Sequence, residues 1–328
     1  MRYEVWRAIS YNQISFSMKI TVIGSGVIGL TTAIALQEAG HEAQIFTKNL
    51  PEATVSAIAG AIWMPFHVEP LADVNRWSRV SYEVFEKLAE DVSSGVTMVD
   101  LLTLAMNPDL PDWVGAVPEG RFWKARPHEL PPGYQHGFFV RVPMIETPIY
   151  LPFLQKRFMD NGGKTFIHEV KNLAEAAAEA AWLINCTGLA AGKLTGDKDV
   201  FPIRGQILKV ENLPGRAYLA DDDGPNALAY IFPRRDCTVL GGTAQVANDD
   251  ESPNEKDAEE ILRRCSNLLP VLSTAVVKSV AVGLRPGRTV IRLEREPFTN
   301  IIHNYGHGGG GYTVSWGCAF EVVECLRF

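Results

Sequence analysis

The chain has 328 residues, 46% hydrophobic and 21% charged, with a formal net charge of -7. That length exceeds what one hydrophobic core organises, so two packed domains are expected. The acidic balance leaves no electrostatic footprint for nucleic acid, and the basic pairs Arg234-Arg235 and Arg263-Arg264 read as solvated faces.

Met1 to Ser17 carries Arg2, Glu4 and Arg7 and lacks the apolar stretch and cleavage site of a signal peptide, so residues 1–17 are expected to be a loose extension. The ordered pattern begins with Lys19 to Ile23, a short buried strand. Gly24-Ser25-Gly26-Val27-Ile28-Gly29 follows, then an apolar helix to about Ala39 that Gly40 stops. His41 to Phe46 is a second strand. A strand, three spaced glycines, a helix and a strand in this order form the dinucleotide fingerprint: one glycine makes the turn, the next admits a pyrophosphate, and the third lets helix and strand pack closely. The second strand closes in Thr47-Lys48-Asn49 rather than in the usual acid. A lysine there can contact a phosphate or a ribose, so this feature leaves NADP open.

Ala59 to Phe66 is a glycine and aromatic stretch, and a helix is expected over Val74 to Asp91. Residues from about 105 to 150 are rich in proline and aromatics, with strand-like pieces such as Phe138 to Val142, and this change of texture marks a second domain. Pro148 to Asn161 reads as helix, Lys164 to Ile167 as strand, and Asn172 with Glu175 as a capped helix start. Trp182 to Asn185 is a buried strand ending at Cys186-Thr187-Gly188, where a parallel sheet presents its ligand-facing turns. Ile207 to Val210, Ala229 to Pro233 and Thr238 to Gly241 are further strands of a mixed sheet, and Asp257 to Asn267 is an amphipathic helix.

The C-terminal part carries Gly283-Leu284-Arg285-Pro286 and then His303-Asn304-Tyr305-Gly306-His307 followed by Gly308 to Gly311 and Tyr312. An arginine offers a planar fork of donors that grips a carboxylate through two parallel hydrogen bonds. The glycine run lets backbone approach a flat ligand closely. Together they suggest an acid substrate held against a cofactor. The five cysteines form no CxxC pair, which fits a reducing compartment. His303 and His307 lie in a glycine-rich loop without neighbouring acidic ligands, so no metal site is expected. No apolar run approaches the roughly 18 residues of a membrane span. The chain ends Leu326-Arg327-Phe328 without a peroxisomal signal, so a cytoplasmic location is expected.

From about Met18 to Phe328 the sequence resembles the D-amino-acid oxidases. The resemblance rests on Gly24 to Leu30, Lys48 to Glu52, Ala59 to Trp63, Asn185 to Gly188, Arg204-Gly205-Gln206, Tyr230 to Pro233, Gly241-Gly242-Thr243, Gly283 to Pro286 and His303 to Gly309, all in one order. It implies an α/β protein, α+β overall, with a Rossmann-type FAD-binding domain of the glutathione-reductase-like class and a second, mixed-sheet substrate-binding domain. The cofactor domain is expected to be discontinuous, 18–100 with 150–205 and 275–328, and the substrate domain to be 101–149 with 206–274. FAD is the implied cofactor, since relatives also place a basic residue near Lys48, and relatives are often homodimers.

Carried over residue by residue, the resemblance implies that Arg285 and the Tyr230 hydroxyl bind the substrate carboxylate and that the Gly309 carbonyl accepts from its amine. Gly24, Ser25, Gly26, Val27, Ile28 and Gly29 are expected at the pyrophosphate, and Lys48, Asn49, Thr54 and Ser56 along the adenosine side and phosphates. Gly60, Ala61, Trp63, Val170, Thr187 and Gly188 should lie along the cofactor. Arg285, Gly308, Gly309, Gly310, Gly311, Tyr312 and Thr313 should stand at the flavin, with Trp63 packing under it. The implied reaction is hydride transfer from the α-carbon of a D-amino acid to flavin N5, with O2 as acceptor giving hydrogen peroxide, and with a 2-oxo acid and ammonia as products. Fixing carboxylate and amine leaves one hydrogen facing the flavin, so no side-chain acid or base is needed.

The chain departs from the family at a second pocket aromatic, for which it has Ala227, Leu228 and Ala244, and its 218–230 lid is short. D-aspartate oxidases resemble it too but carry arginine in place of Ala244. Neutral or bulky apolar D-amino acids are therefore expected, unless Arg234 or Arg235 reaches inward. The alternatives are a glycine, sarcosine or D-aspartate oxidase, an NADP-linked dehydrogenase suggested by Lys48, and a flavin-binding protein without turnover.

Overall fold

The computed structural model describes residues 17–65, 68–213, 215–220 and 223–326. Residues 1–16 of the expected N-terminal extension and the last two residues lie outside the described residues.

Six strands form one sheet, in the spatial order Arg292–Arg295 (β14), Ile301–Tyr305 (β15), Trp182–Asn185 (β7), Lys19–Ile23 (β1), Glu42–Thr47 (β2) and Lys164–Ile167 (β6). All neighbours are parallel except β14 and β15. The β1 sequence KITVI is buried from its second residue on, as a strand covered on both faces must be. Helix α1 (Val27–Glu38) crosses from β1 to β2 and is buried over most of its length. It lies between the sheet and the C-terminal helix Gly311–Cys325 (α8), to which the Thr31 hydroxyl donates through the Ser315 carbonyl at 3.2 Å.

The larger sheet runs Gln245–Val246 (β12), Phe201–Val210 (β8), Thr238–Gly241 (β11), Tyr230–Pro233 (β10), Ala217–Ala220 (β9), Val96–Ala105 (β3), His136–Ile145 (β5) and Phe122–Lys124 (β4), with Val277–Gly287 (β13) on β8. Among the described residues of this sheet, only β3 and β9 pair parallel. Helix α7 (Glu255–Leu268) covers one face through Ile261, Cys265 and Leu268, and the Asn254 side chain caps it by accepting from the Asp257 amide.

The expected strands and helices recur with shifted ends. The helix expected over Val74 to Asp91 spans Leu71–Leu88 (α3), and the one expected over Pro148 to Asn161 spans Thr147–Asp160 (α4). The Asn172 start is capped as expected, its side chain accepting from the amides of Ala174 and Glu175. Two expected domain edges cut through strands: the edge at 100/101 falls inside β3 and the edge at 205/206 inside β8. β13, within the 275–328 expected in the cofactor domain, lies in the larger sheet. The reason is ladder pairing: β13 runs antiparallel along nearly all of β8, which sets Arg285 opposite Ile203 and Gly283 opposite Gly205. Arg285 therefore reaches the cleft from the larger sheet.

Candidate active site

One cleft, about 1,520 Å³, runs between the two sheets from Lys48 and Glu169 to Tyr230 and Arg285. At its first end stands the glycine turn. Gly24 has φ +106°, and a Cβ there would fall 2.5 Å from the Cys186 carbonyl oxygen; at Gly26 a Cβ would sit 3.0 Å from Ser56 Oγ. Gly29 does not line the cleft. A Cβ on it would fall 1.9 Å from the Gly24 carbonyl oxygen, so its bareness serves the contact of helix on turn. Gly26 caps α1, whose first residues Val27 and Ile28 face the cleft with the positive end of the helix, a ready anion site. Ser25 is buried and braces the turn, donating to the Asn49 carbonyl at 2.7 Å and accepting from the Thr47 hydroxyl at 3.0 Å.

Beyond the turn, Lys48, Asn49, Thr54, Ser56 and Val170 line the same end. Lys48 pairs with Glu169 at 3.1 Å, and that bond holds the Glu169 carboxyl below the usual range. An acid from the loop after β6 thus stands beside the lysine that closes β2. Chain order gave no signal of this, because the two meet only through the parallel register of β2 and β6.

In the middle of the cleft lie Gly60, Ala61, Thr187 and Gly188. Asn185 fixes Thr187 from below, its Oδ1 accepting from the Thr187 hydroxyl at 2.7 Å and the Thr187 amide at 3.3 Å. Its amide nitrogen therefore faces His303 Nδ1 at 3.3 Å, and Glu296 stands 3.5 Å from His303 Nε2. Burial lowers the His303 pKa, so this imidazole is neutral with its proton on Nε2.

Gly308, with φ +52°, and Gly309, Gly311 and Tyr312 line the opposite wall at the start of α8. The Tyr312 hydroxyl donates to the Ser56 carbonyl at 2.8 Å, tying that wall to the first end. Gly310, Thr313 and Trp63, also expected along the cofactor, are not among the residues that line the cleft. A Cβ at Gly310 would meet Val68 at 2.7 Å. The Thr313 hydroxyl is buried on the Met64 carbonyl and amide, each at 3.0 Å. Trp63 is fully buried, its indole donating to the Ser78 carbonyl at 2.9 Å and its ring meeting Tyr82 edge-on at 5.2 Å. These three support the cleft from behind.

His307 lines the cleft and is buried, which drives its pKa down to about 3. The Asn304 amide donates to Thr32 at 3.2 Å, which turns Asn304 Oδ1 toward His307 Nε2 at 3.1 Å and places the ring proton on Nε2. A neutral imidazole so engaged is a fixed hydrogen-bonder.

At the inner end, Arg285 crosses the bare face of Gly205, where a Cβ would lie 2.5 Å from its Nη2. Its Nη1 donates to the Thr243 carbonyl at 2.9 Å, and no carboxylate among the described residues pairs with it. The Tyr230 ring stacks on Phe232 at 4.5 Å and lies flat on Gly241, where a Cβ would overlap it. Burial raises the Tyr230 pKa and the nearby Arg285 charge opposes the rise, so the hydroxyl stays protonated. A Cβ at Gly309 would come within 3.8 Å of Arg285 Cδ. Arg285, Tyr230 and Gly309, far apart in sequence, thus converge on one end of one cleft.

The neighbouring wall is built from Ala227, Leu228 and Ala244. Arg234 and Arg235 do not line it; Arg234 pairs with Asp236 at 3.3 Å and Arg235 with Glu146 at 2.8 Å. Arg264, read from sequence as part of a solvated face, is 9% exposed and does line the cleft. Its place on α7 beside the buried Ile261, Cys265 and Leu268 was the one available signal, a helical spacing that puts it on the covered face.

A dinucleotide site of this build, a basic end, and an arginine facing a glycine wall define an FAD-dependent oxidoreductase. The chain belongs to that family: the profile described as DAO, FAD dependent oxidoreductase, matches residues 19–325. Among relatives, the D-amino-acid oxidase of Rubrobacter xylanophilus is 43% identical over 311 residues, covering 93% of this chain and 94% of the relative. The D-amino-acid oxidase of Dictyostelium discoideum is 35% identical, covering 94% and 91%, and human D-aspartate oxidase is 31% identical, covering 94% and 96%. In solved structures, glycine oxidase from Geobacillus kaustophilus shares the fold with a TM-score of 0.79 at 17% identity, covering 95% of each chain. FAD fits the residues present: Gly24 and Gly26 leave room a Cβ would fill, the α1 N-terminus at the cleft would suit a diphosphate, and the cleft exceeds the roughly 300 to 1,000 Å³ of an ordinary small-ligand pocket.

Proposed function

We propose that the protein is an FAD-dependent oxidase of neutral or bulky apolar D-amino acids, yielding a 2-oxo acid, ammonia and hydrogen peroxide. The observation that carries this is Arg285, a guanidinium facing a ligand cleft with no carboxylate of its own among the described residues. FAD supplies the hydride acceptor and returns the electrons to O2. Arg285 and the Tyr230 hydroxyl grip the substrate carboxylate, and the Gly309 carbonyl accepts from the amine. Two anchored substituents fix which face of the α-carbon meets the cofactor, which selects the enantiomer. Gly24, Gly26, Val27 and Ile28 hold the pyrophosphate, Lys48, Asn49, Thr54 and Ser56 the adenosine side, and Gly60, Ala61, Thr187, Gly188, Gly308, Gly309, Gly311 and Tyr312 the rest.

The substrate side chain points at Ala227, Leu228 and Ala244. Arg264, the cation beside that wall, is committed to backbone carbonyls, which supports apolar over acidic substrates. In this reading the smaller sheet carries the cofactor and the larger one the substrate. The protein works as a homodimer in the cytoplasm, in keeping with five free cysteines, four of them buried. No helix among the described residues is long and apolar enough to cross a membrane.

The test is a panel of D-alanine, D-methionine, D-phenylalanine, D-aspartate, glycine and sarcosine with peroxide detection, alongside the visible spectrum of the purified protein. Turnover of the first three with flavin bands is expected; turnover of glycine or D-aspartate alone would overturn the substrate class. Sedimentation and cell fractionation test the dimer and the location.

A further inference from the structure

We infer that Arg264 is a positioning residue that sets which substrate side chains the pocket admits, by bracing the wall that carries Leu228. This rests on the proposed D-amino-acid oxidation, in which the wall faces the substrate side chain.

The guanidinium of Arg264 donates to the Ala227 carbonyl through Nη1, to the Gly242 carbonyl at 3.0 Å through Nη2, and to the Glu260 carbonyl at 3.3 Å through Nε. Ala227 and Gly242 both line the cleft. They belong to different segments: Ala227 to the turn before β10, Gly242 to the end of β11. The two are also bonded to each other, since the Gly242 amide donates to the Leu228 carbonyl at 2.9 Å. Arg264 thus closes a ring around Leu228.

Leu228 needs that support. Its φ of +65° lies in the left-handed region, where the Cβ of an L-residue crowds the following carbonyl. A branched side chain holds such a conformation only where its surroundings over-determine it. Here the carbonyl before Leu228 is fixed by Arg264 and its own carbonyl by Gly242. Two further residues of α7 add to the same wall: the Cys265 thiol contacts the Tyr230 and Gly241 carbonyls at 3.5 and 3.6 Å, and Asn267 donates to Asn226 Oδ1 at 2.9 Å.

One planar fork serving three carbonyls is work a lysine cannot repeat, since its ammonium is a point donor. A guanidinium sited only for folding would leave substrate choice untouched. A brace on Leu228 makes substrate choice depend on it.

The experiment compares wild type, Arg264→Lys, Arg264→Gln and Leu228→Ala, each purified with bound flavin. It measures kcat/KM for D-alanine and D-phenylalanine, and amide exchange at Ala229 and Gly242. Arg264→Gln should change the D-phenylalanine to D-alanine ratio at least about fivefold, chiefly through KM, with kcat for D-alanine within about twofold of wild type. Arg264→Lys should fall between, and Leu228→Ala should change the ratio while Arg264 stays in place. Exchange at both amides should accelerate about tenfold or more in Arg264→Gln, because the Gly242 amide bonds the Leu228 carbonyl inside the braced ring and the Ala229 amide bonds the carbonyl of Asn226, the residue next to Ala227. A wild-type ratio in Arg264→Gln, or in Leu228→Ala, overturns the inference. If Arg264→Gln does not fold, Arg264→Lys and Leu228→Ala decide it by the same ratio. If wild type oxidises no D-amino acid, the functional reading has failed instead, and unchanged amide exchange in Arg264→Lys then rejects the brace independently.

Discussion

Replacing Arg285 by alanine removes the cation proposed to face the substrate carboxylate and should leave the folded protein nearly intact. Among the described residues Arg285 donates to the Thr243 carbonyl, has the Tyr230 hydroxyl beside it, and makes no ion pair with a carboxylate. Losing that bond costs about 1 kcal/mol of stability. Toward the substrate the loss is larger. Each hydrogen bond to a charged group contributes about 1.5 to 3 kcal/mol, and a fork makes two, while solvent entering the emptied space recovers part of the sum. A net loss of about 2 to 4 kcal/mol corresponds to a fall in kcat/KM of roughly 30- to 1,000-fold. Steady-state peroxide release with D-alanine measures it, and flavin absorbance per chain confirms that the cofactor is retained. Arg285→Lys should retain more activity than alanine, because charge remains and the second parallel bond does not. A fall of less than about threefold in Arg285→Ala, with flavin bound, would remove Arg285 from the site.

Tyr230→Phe should raise KM roughly 2- to 12-fold, the worth of one hydroxyl hydrogen bond of about 0.5 to 1.5 kcal/mol, with stability unchanged because the ring keeps its stack on Phe232; an unchanged KM would show that the hydroxyl does not touch the carboxylate. Gly29→Ala drives a Cβ onto the Gly24 carbonyl oxygen, a backbone atom with nowhere to retreat, so flavin content per chain should drop sharply with a lower melting temperature. His307 has a folded pKa of about 3, below the ordinary 6.5, so the unfolded chain binds a proton that the folded one resists. Its contribution to stability is complete above about pH 6.5 and is lost as pH falls from there toward 3. Denaturant titrations should show His307→Gln losing less stability than wild type across that window, and parallel curves would count against a buried neutral His307.

Much of the cofactor end was legible in the chain itself. The glycine turn, the two strands beside it and α1 are local, fixed by residues within a few turns of one another, and their periodicity and spacing carry the geometry. The Asn172 cap was equally local. The inner end was different. Arg285 and the glycine run stood out as residue types, yet what places Arg285 across from Tyr230 is the ladder of β13 on β8 and of β10 on β11, pairings set by strands far apart in sequence. Trp63, Gly310 and Thr313 belong to segments that touch the cleft, and only packing decided that the Trp63 and Thr313 side chains, and the bare face of Gly310, lie against other residues.

The sequence by itself determined that this chain folds as a dinucleotide-binding protein with a second mixed sheet and an arginine suited to an acid. A periodic pattern or a spaced glycine acts through near neighbours, whose geometry the backbone fixes. Tertiary structure alone decided that Glu169 joins Lys48, that Arg234 and Arg235 turn away from the cleft, and that Arg264, not a solvated charge, holds the Ala227 and Gly242 carbonyls of the cleft wall. Those outcomes depend on which buried carbonyls and charges find partners after the sheets close, and desolvation enforces that pairing only once the fold has brought them together.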